Sequence, residues 1–220
     1  MKKSIAIVQT SAVSSAELKA LCEEIMPEVT VYQIIDDSLI KEVNANGGPT
    51  YGVKRRMYNY YQQAESLGVD AILNQCSSVG EVADAIKPFV SVPVVKVDEA
   101  MAEKAVSLGK KIAVVATVPT TVGPSVRLVE QKAKEAGKEI EIETHLVKDA
   151  MMILIEKGDV ETHNKMVLGE VEAAAETCDV VVLAQGSMTV LIPELGVIKK
   201  PVLTSPELGV MRAAEMLKEM

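Results

Sequence analysis

Four short polar segments, each directly after a run of aliphatic residues, hold the side chains of this chain that could bind and transform a small molecule. They are rich in hydroxyl groups, amide groups and small residues, and they contain no carboxylate and no histidine. The segments are Gln9-Thr10-Ser11, Asn74-Gln75-Cys76-Ser77-Ser78, Thr117-Val118-Pro119-Thr120-Thr121 and Ala184-Gln185-Gly186-Ser187-Met188. Such groups suit a small carboxylate ligand, which hydroxyls and the free backbone N–H groups at helix starts can hold.

Cys76 is the residue of these segments that could act as an acid, a base or a nucleophile. It precedes an expected helix start near Val79, where the helix dipole and unpaired N–H groups would lower the thiol pKa. The alternative is a small apolar residue in a tight turn, and this is our interpretation of Cys22 and Cys178. The polar neighbours of Cys76 favour a functional role. We interpret the two histidines, His145 and His163, as surface residues and predict no Cys–His pair.

The elements that must position these segments are alternating strands and helices. Eight β-rich apolar runs are each followed by a segment of helical periodicity, which is typical of parallel sheets covered on both faces. Ser14 and Glu17 have the spacing of a capping box at the first helix. Gly109, like Gly68 and Gly137, stands where a helix would end on a left-handed glycine. The expected strands span about 4–9, 29–35, 69–74, 93–97, 111–116, 139–147, 179–184 and 201–204.

An internal repeat predicts the domain organisation. Residues 5–10 match 112–117, Gln75-Cys76-Ser77 matches Gln185-Gly186-Ser187, and Pro93 matches Pro201, all at a nearly constant offset. We therefore expect two similar α/β lobes, residues 1–97 and 98–204, with a terminal helix at 205–220 packing on the first lobe. Ligands of open parallel sheets bind beyond the carboxyl ends of the strands, so the four segments would line one cleft shared by the lobes.

Composition excludes several classes of function. The net charge of −8 and the 3% aromatic content argue against nucleic acid or an anionic membrane as a partner. Three cysteines without paired spacing predict neither a disulfide framework nor a metal site. No phosphate-binding glycine motif is present, which argues against a nucleotide cofactor. The first apolar run, Ile5 to Val8, is too short for a signal sequence or a membrane span, so we expect a cytoplasmic protein.

Two similar lobes, a strand ending in Asn-Gln-Cys-Ser-Ser, an Ala-Thr-Val-Pro-Thr-Thr loop and a strand ending in Ala-Gln-Gly-Ser-Met together resemble the aspartate/glutamate/hydantoin racemase superfamily over almost the whole chain. The resemblance implies flavodoxin-like lobes related by a pseudo-twofold axis, with the active site in the cleft between them. It also implies a homodimer or higher oligomer that needs no pyridoxal phosphate, metal or other cofactor. In that superfamily two cysteines, one from each lobe, face the substrate α-carbon, and one thiolate removes the proton that the other thiol replaces.

The resemblance assigns roles to individual residues of this sequence. Cys76 matches the first catalytic cysteine, and the second should stand at Gly186. Thr117 and Thr120 resemble the loop that holds the substrate carboxylate. The remaining predicted substrate contacts are Gln9, Thr10, Asn74, Ser77, Ser78, Thr121, Gly186 itself and Ser187.

Glycine has no proton to give, so the loss of a cysteine at Gly186 leaves three hypotheses. The first is a racemase or epimerase in which a hydroxyl, another side chain or water replaces the missing group. The second is a one-cysteine enzyme, a decarboxylase or a one-face isomerase, in which Cys76 protonates an enolate held by the amides near Ser187. The arylmalonate decarboxylases, a related branch with a single cysteine on the other lobe, illustrate this chemistry. The third is a small-carboxylate binding protein without turnover.

Overall fold

The computed structural model describes residues 2–220, without the side chain of Ile155, and forms two compact units. Unit 1 contains the residues up to Ala100 together with Pro206–Met220, and unit 2 contains Met101–Ser205. Each unit is an α/β fold built on one four-stranded parallel sheet. The predicted fold class, two similar α/β lobes with parallel sheets, is confirmed, and all eight expected strands are present.

The strands are β1 (Ser4–Gln9), β2 (Thr30–Ile35), β3 (Ala71–Asn74), β4 (Val94–Lys96), β5 (Lys111–Ala116), β6 (Glu141–Leu146), β7 (Val180–Leu183) and β8 (Val202–Thr204). The helices are α1 (Ser15–Ile25), α2 (Ser38–Asn46), α3 (Tyr51–Ser66), α4 (Gly80–Ile86), α5 (Glu99–Leu108), α6 (Pro119–Glu135), α7 (Ala150–Lys157), α8 (Val160–Thr177), α9 (Ile192–Leu195) and α10 (Ser205–Glu219). Short 3-10 helices span Ser77–Val79, Lys87–Phe89 and Gly186–Leu191. None of the helices described over residues 2–220 is long and apolar enough to cross a membrane.

The two sheets repeat one topology. The strand order is β2-β1-β3-β4 in unit 1 and β6-β5-β7-β8 in unit 2, which is the flavodoxin-like order. A hydrogen bond from a backbone N–H to an aspartate also recurs at the amino end of each sheet. Asp70 accepts a hydrogen bond from the Ser4 N–H at 2.7 Å, and Asp179 accepts one from the Lys111 N–H at 3.0 Å. These bonds lower the pKa of both aspartates. The repeat in the sequence is therefore a repeat in structure.

The core of unit 1 lies on both faces of its sheet because successive side chains of a strand point to opposite faces. Ile5 and Ile7 pack on one face and Ala6 and Val8 on the other, all of them buried. Helix α10 covers the Ile5 face with Val210, Ala213, Ala214 and Leu217. It lies so close to the sheet that a Cβ on Gly209 would stand 2.3 Å from the carbonyl oxygen of Val97.

Two local expectations were wrong. Ser14 does precede α1, but its φ of 60° is left-handed and its side chain makes no capping hydrogen bond, so the capping box does not form. Gly68 and Gly137 have the expected positive φ, whereas Gly109 does not. Glycine is required at 109 for another reason, since a Cβ there would stand 2.4 Å from the Cβ of Asp179.

Candidate functional site

The carboxyl ends of β1 and β3 form the topological switch point of unit 1, where ligands of such sheets bind. Gln9 and Thr10 lie at the end of β1, and Asn74 begins the segment that follows β3. The structure brings six of the predicted residues together in this unit: Gln9, Thr10, Asn74, Cys76, Ser77 and Ser78. Cys76 is half-buried, and the other five are buried.

Two residues, Thr10 and Ser78, offer hydrogen-bond donors to the sulfur of Cys76. The Thr10 hydroxyl and both the N–H and the hydroxyl of Ser78 bond to it. Burial nevertheless raises the pKa of the Cys76 thiol, and the nearby Asp98 carboxylate acts in the same direction, although the three donors oppose them. The expectation of a lowered pKa was wrong because loss of water around the sulfur outweighs the donors. A 3-10 turn follows the cysteine directly, and α4 begins at Gly80, next to the expected helix start near Val79.

Two consecutive hydrogen bonds connect Tyr61, through Asn74, to the backbone of Cys76. The Tyr61 hydroxyl, on α3, donates to Oδ1 of Asn74 at 3.1 Å. Nδ2 of Asn74 in turn donates to the carbonyl oxygen of Cys76 at 3.1 Å. Tyr61 is fully buried, and burial raises its pKa, so the hydroxyl stays a donor. Asn74 therefore positions the cysteine through the backbone.

Gln9 is the most unusual polar group of unit 1. Its side chain is fully buried, yet neither its Nε2 nor its Oε1 has a hydrogen-bond partner in the protein. Leaving such a group unpaired costs about 1–3 kcal/mol, so this buried amide is a candidate for contact with a polar partner. A primary amide can both donate to a ligand and accept from one.

Sequence reasoning missed two charged residues of this region, Lys96 and Asp98. Both are buried, at 3% and 4% exposure, at the carboxyl end of β4. Nζ of Lys96 lies 2.6 Å from Oδ2 of Asp84, and Asp98 is hydrogen-bonded to Ser77. Asp98 directly follows the expected strand 93–97, so the strand-end rule used for the other segments could have found it.

In unit 2, Gln185 joins the ends of β5 and β7. Its Oε1 accepts from the Thr117 N–H at 2.6 Å, and its Nε2 donates to the Thr117 hydroxyl at 2.9 Å. The sequence placed Gln185 in a polar segment but assigned it no role. Thr117 and Thr121 are buried. The other predicted residues of this unit are half-buried: Thr120 in the first turn of α6, and Gly186 and Ser187 at the start of the 3-10 helix that follows β7.

His163 was wrongly predicted to lie at the surface. It is 1% exposed on α8, on the same face as Val167 and Val171, and its Nε2 has no hydrogen-bond partner in the protein. His145, also taken for a surface residue, is half-buried, with Nδ1 2.7 Å from Glu170. Within residues 2–220, no three His, Cys, Asp or Glu side chains are grouped as a metal site would require.

Comparison with known proteins gives one family. Residues 7–213 match the family model described as Asp/Glu/Hydantoin racemase. No curated protein matches the sequence significantly. Among solved structures, a glutamate racemase from Bacillus anthracis is 17% identical with a TM-score of 0.73, and the match covers 100% of this chain and 83% of that one. An aspartate racemase homologue from Pyrococcus horikoshii is 18% identical, with a TM-score of 0.72 and coverage of 99% and 100%. An allantoin racemase from Klebsiella pneumoniae is 15% identical, with a TM-score of 0.74 and coverage of 99% and 86%.

Proposed function

Because the chain belongs to the Asp/Glu/hydantoin racemase family, and is thus an enzyme of the racemase type, we propose that it is a cofactor-independent isomerase of small carboxylates with Cys76 as an acid/base at the α-carbon. The observation that carries the proposal is the position of the thiol. It lies at the carboxyl end of β3 with donors from Thr10 and Ser78 on its sulfur. The unpartnered Gln9 amide in the same unit supports a polar ligand there.

The chemistry proposed for Cys76 follows from these contacts. As a thiol it delivers a proton to the α-carbon of an enolate, and as a thiolate it removes one. The hydrogen bonds from Thr10 and Ser78 stabilise the thiolate after the proton has left. Within unit 2, the hydroxyls of Thr117 and Thr120 and the backbone N–H groups near Ser187 are the groups that we propose for binding a carboxylate.

A second candidate, a one-cysteine decarboxylase or lyase, is favoured by two observations. Gly186 has no side chain to move a proton, and the raised pKa of Cys76 favours the protonated thiol, which is the form that a one-sided donor needs. A malonate-like or keto-acid substrate would lose its carboxylate as carbon dioxide, and the Cys76 proton would then go to the enolate carbon. A binding protein without turnover is the remaining alternative.

The experiment is incubation of amino acids, hydantoins and substituted malonates with the protein in deuterated water. Proton NMR follows α-deuteration, chiral chromatography follows enantiomers, and released carbon dioxide is measured. We expect deuteration with inversion, lowered about 10²–10⁴-fold in Cys76→Ala. Cys178→Ala is the matched control, because this thiol precedes β7 at the amino end of its sheet, and we expect its activity to stay near that of the parent.

Two outcomes would contradict the proposal that the protein is an isomerase. Release of carbon dioxide with deuteration on one face would identify the lyase. No turnover of any of these compounds, together with a thermal shift caused by a small dicarboxylate, would identify a binding protein.

A further inference from the structure

We infer that Asp98 is a positioning residue for Cys76. The buried carboxyl group of Asp98 loses its proton first, and its negative charge keeps Cys76 as a thiol, a proton donor, in the resting protein. This inference rests on the proposed function of Cys76. It assigns the choice between donor and acceptor to a residue that neither the repeat nor the family resemblance indicates.

The backbone of unit 1 brings Asp98 to the cysteine. Strands β3 and β4 are parallel, and Asn74 pairs with Lys96 in their register. The N–H of Val97 then donates to the carbonyl oxygen of Asn74 at 2.9 Å, which keeps the two chains together past the last pair. Cys76 and Asp98 each lie two residues beyond that pair. Ser77, the residue after the cysteine, is hydrogen-bonded to the Asp98 side chain.

Lys96, the cation whose charge acts on Asp98, is also paired with other carboxylates, so the charge of Asp98 still acts on the thiol. Lys96 favours the ionised form of Asp98, but its Nζ lies 2.6 Å from Asp84 and 3.8 Å from Glu99. Asp84 and Glu99 also pair with a second cation, since Nζ of Lys87 lies 3.2 and 3.3 Å from them. Asp98 is 4% exposed, so little water screens its charge from the sulfur.

The other groups that face the sulfur come from β1, α3 and the segment after β3. Thr10 and Ser78 donate to the sulfur and favour the thiolate. The Tyr61 hydroxyl is neutral and is committed to Asn74. Asp98 is therefore the anionic neighbour that opposes ionisation of Cys76, and two acids so close lose their protons in two coupled steps. Burial and the Glu99 carboxylate raise the pKa of Asp98, while Ser77 and Lys96 lower it. Because burial raises the pKa of the Cys76 thiol as well, the carboxyl group, ordinarily by far the stronger acid, still ionises first and leaves the thiol protonated.

The test is alkylation of Cys76 by iodoacetamide as a function of pH, with the modified peptide quantified by mass spectrometry. We expect Asp98→Asn to lower the apparent pKa of alkylation and so to speed alkylation at neutral pH. Asp98→Glu keeps the charge and should restore much of the parent profile. A role confined to folding would change stability but not this profile. An unchanged or raised apparent pKa in Asp98→Asn would overturn the inference.

A second measurement needs no change at Asp98. In the parent protein, the ¹³C signal of the Asp98 carboxyl group should respond to ionisation of the thiol, and this second inflection should vanish in Cys76→Ala. A titration curve that is the same in both proteins would overturn the inference. Neither measurement uses a substrate, so failure of the proposed isomerase reaction and failure of this inference are distinguishable.

Discussion

Replacing Tyr61 with phenylalanine tests whether the hydrogen bonds beneath the cysteine segment hold it in place. Tyr61 is fully buried, and its hydroxyl donates to Asn74 Oδ1 at 3.1 Å. Phenylalanine keeps the ring and its packing against the apolar core of unit 1 and removes only the oxygen. The change therefore leaves one buried acceptor, Asn74 Oδ1, without this donor.

The expected cost follows from that single lost bond. A buried acceptor without a donor costs about 1–3 kcal/mol. For a chain of about this length, each kcal/mol lowers Tm by about 2–4 °C, so we expect a fall of about 2–12 °C. Tyr58→Phe is the matched control, because the Tyr58 hydroxyl only accepts from Gln62 at an exposed position. Its expected effect is within about 0.5 kcal/mol.

Thermal unfolding followed by circular dichroism measures the loss of stability. Iodoacetamide alkylation measures the change in the Cys76 segment. Since Asn74 also donates to the Cys76 carbonyl oxygen, a displaced Asn74 should change the alkylation rate of Cys76 in Tyr61→Phe but not in Tyr58→Phe. The reasoning is refuted if the two variants unfold at the same temperature as the parent and their Cys76 alkylation rates are equal.

Gly209→Ala should lower stability by about 1–3 kcal/mol or more, because the new Cβ would meet backbone atoms of Val97 at 2.3 and 2.7 Å. Gly169→Ala, on an open helix surface, should instead stabilise by about 0.4–1 kcal/mol, and equal urea midpoints for the two would contradict this account. Hydrogen bonding, chiefly from Lys111, lowers the pKa of Glu143 from its ordinary value of 4.5 to about 2. Because the folded protein favours the ionised form of Glu143, this carboxylate stabilises the fold above pH 4.5. That contribution to stability is lost as the pH falls from 4.5 towards 2. The Tm difference between the parent and Glu143→Gln should therefore narrow over that range, and a constant difference would argue against the lowered pKa.

The fold was predictable because its signals are local. Strands buried on both faces appear as continuous aliphatic runs, as from Ile5 to Val8, and the eight runs needed no knowledge of their neighbours. The repeat then predicted that both units share one topology, as the strand orders show. The capping box at Ser14 failed because its backbone is left-handed, a conformation that side-chain spacing does not reveal.

The site was only partly predictable because its electrostatics depend on distant parts of the chain. The helix start after Cys76 suggested a lowered thiol pKa, but burial by other elements reverses the sign. Asp98 was not among the predicted site residues, and the register of β4 against β3 is what brings it to the cysteine segment. For His163 a signal did exist, since it continues the helical spacing of Val167 and Val171.

The proposed roles of the Cys76 thiol and of position 186 raise one chemical question. A racemase has an equilibrium constant of one, so it must be equally efficient in both directions, and the groups on the two faces of the α-carbon must exchange acid and base roles. Gly186 offers no side chain for that exchange, whereas Cys76 has an environment that favours the protonated form. On the proposed role of Cys76, racemisation needs a further group for the second face, whereas release of carbon dioxide does not. The protonation state of Cys76 therefore bears on the choice between the two proposed activities, and the inferred effect of the Asp98 carboxyl group bears on it in turn.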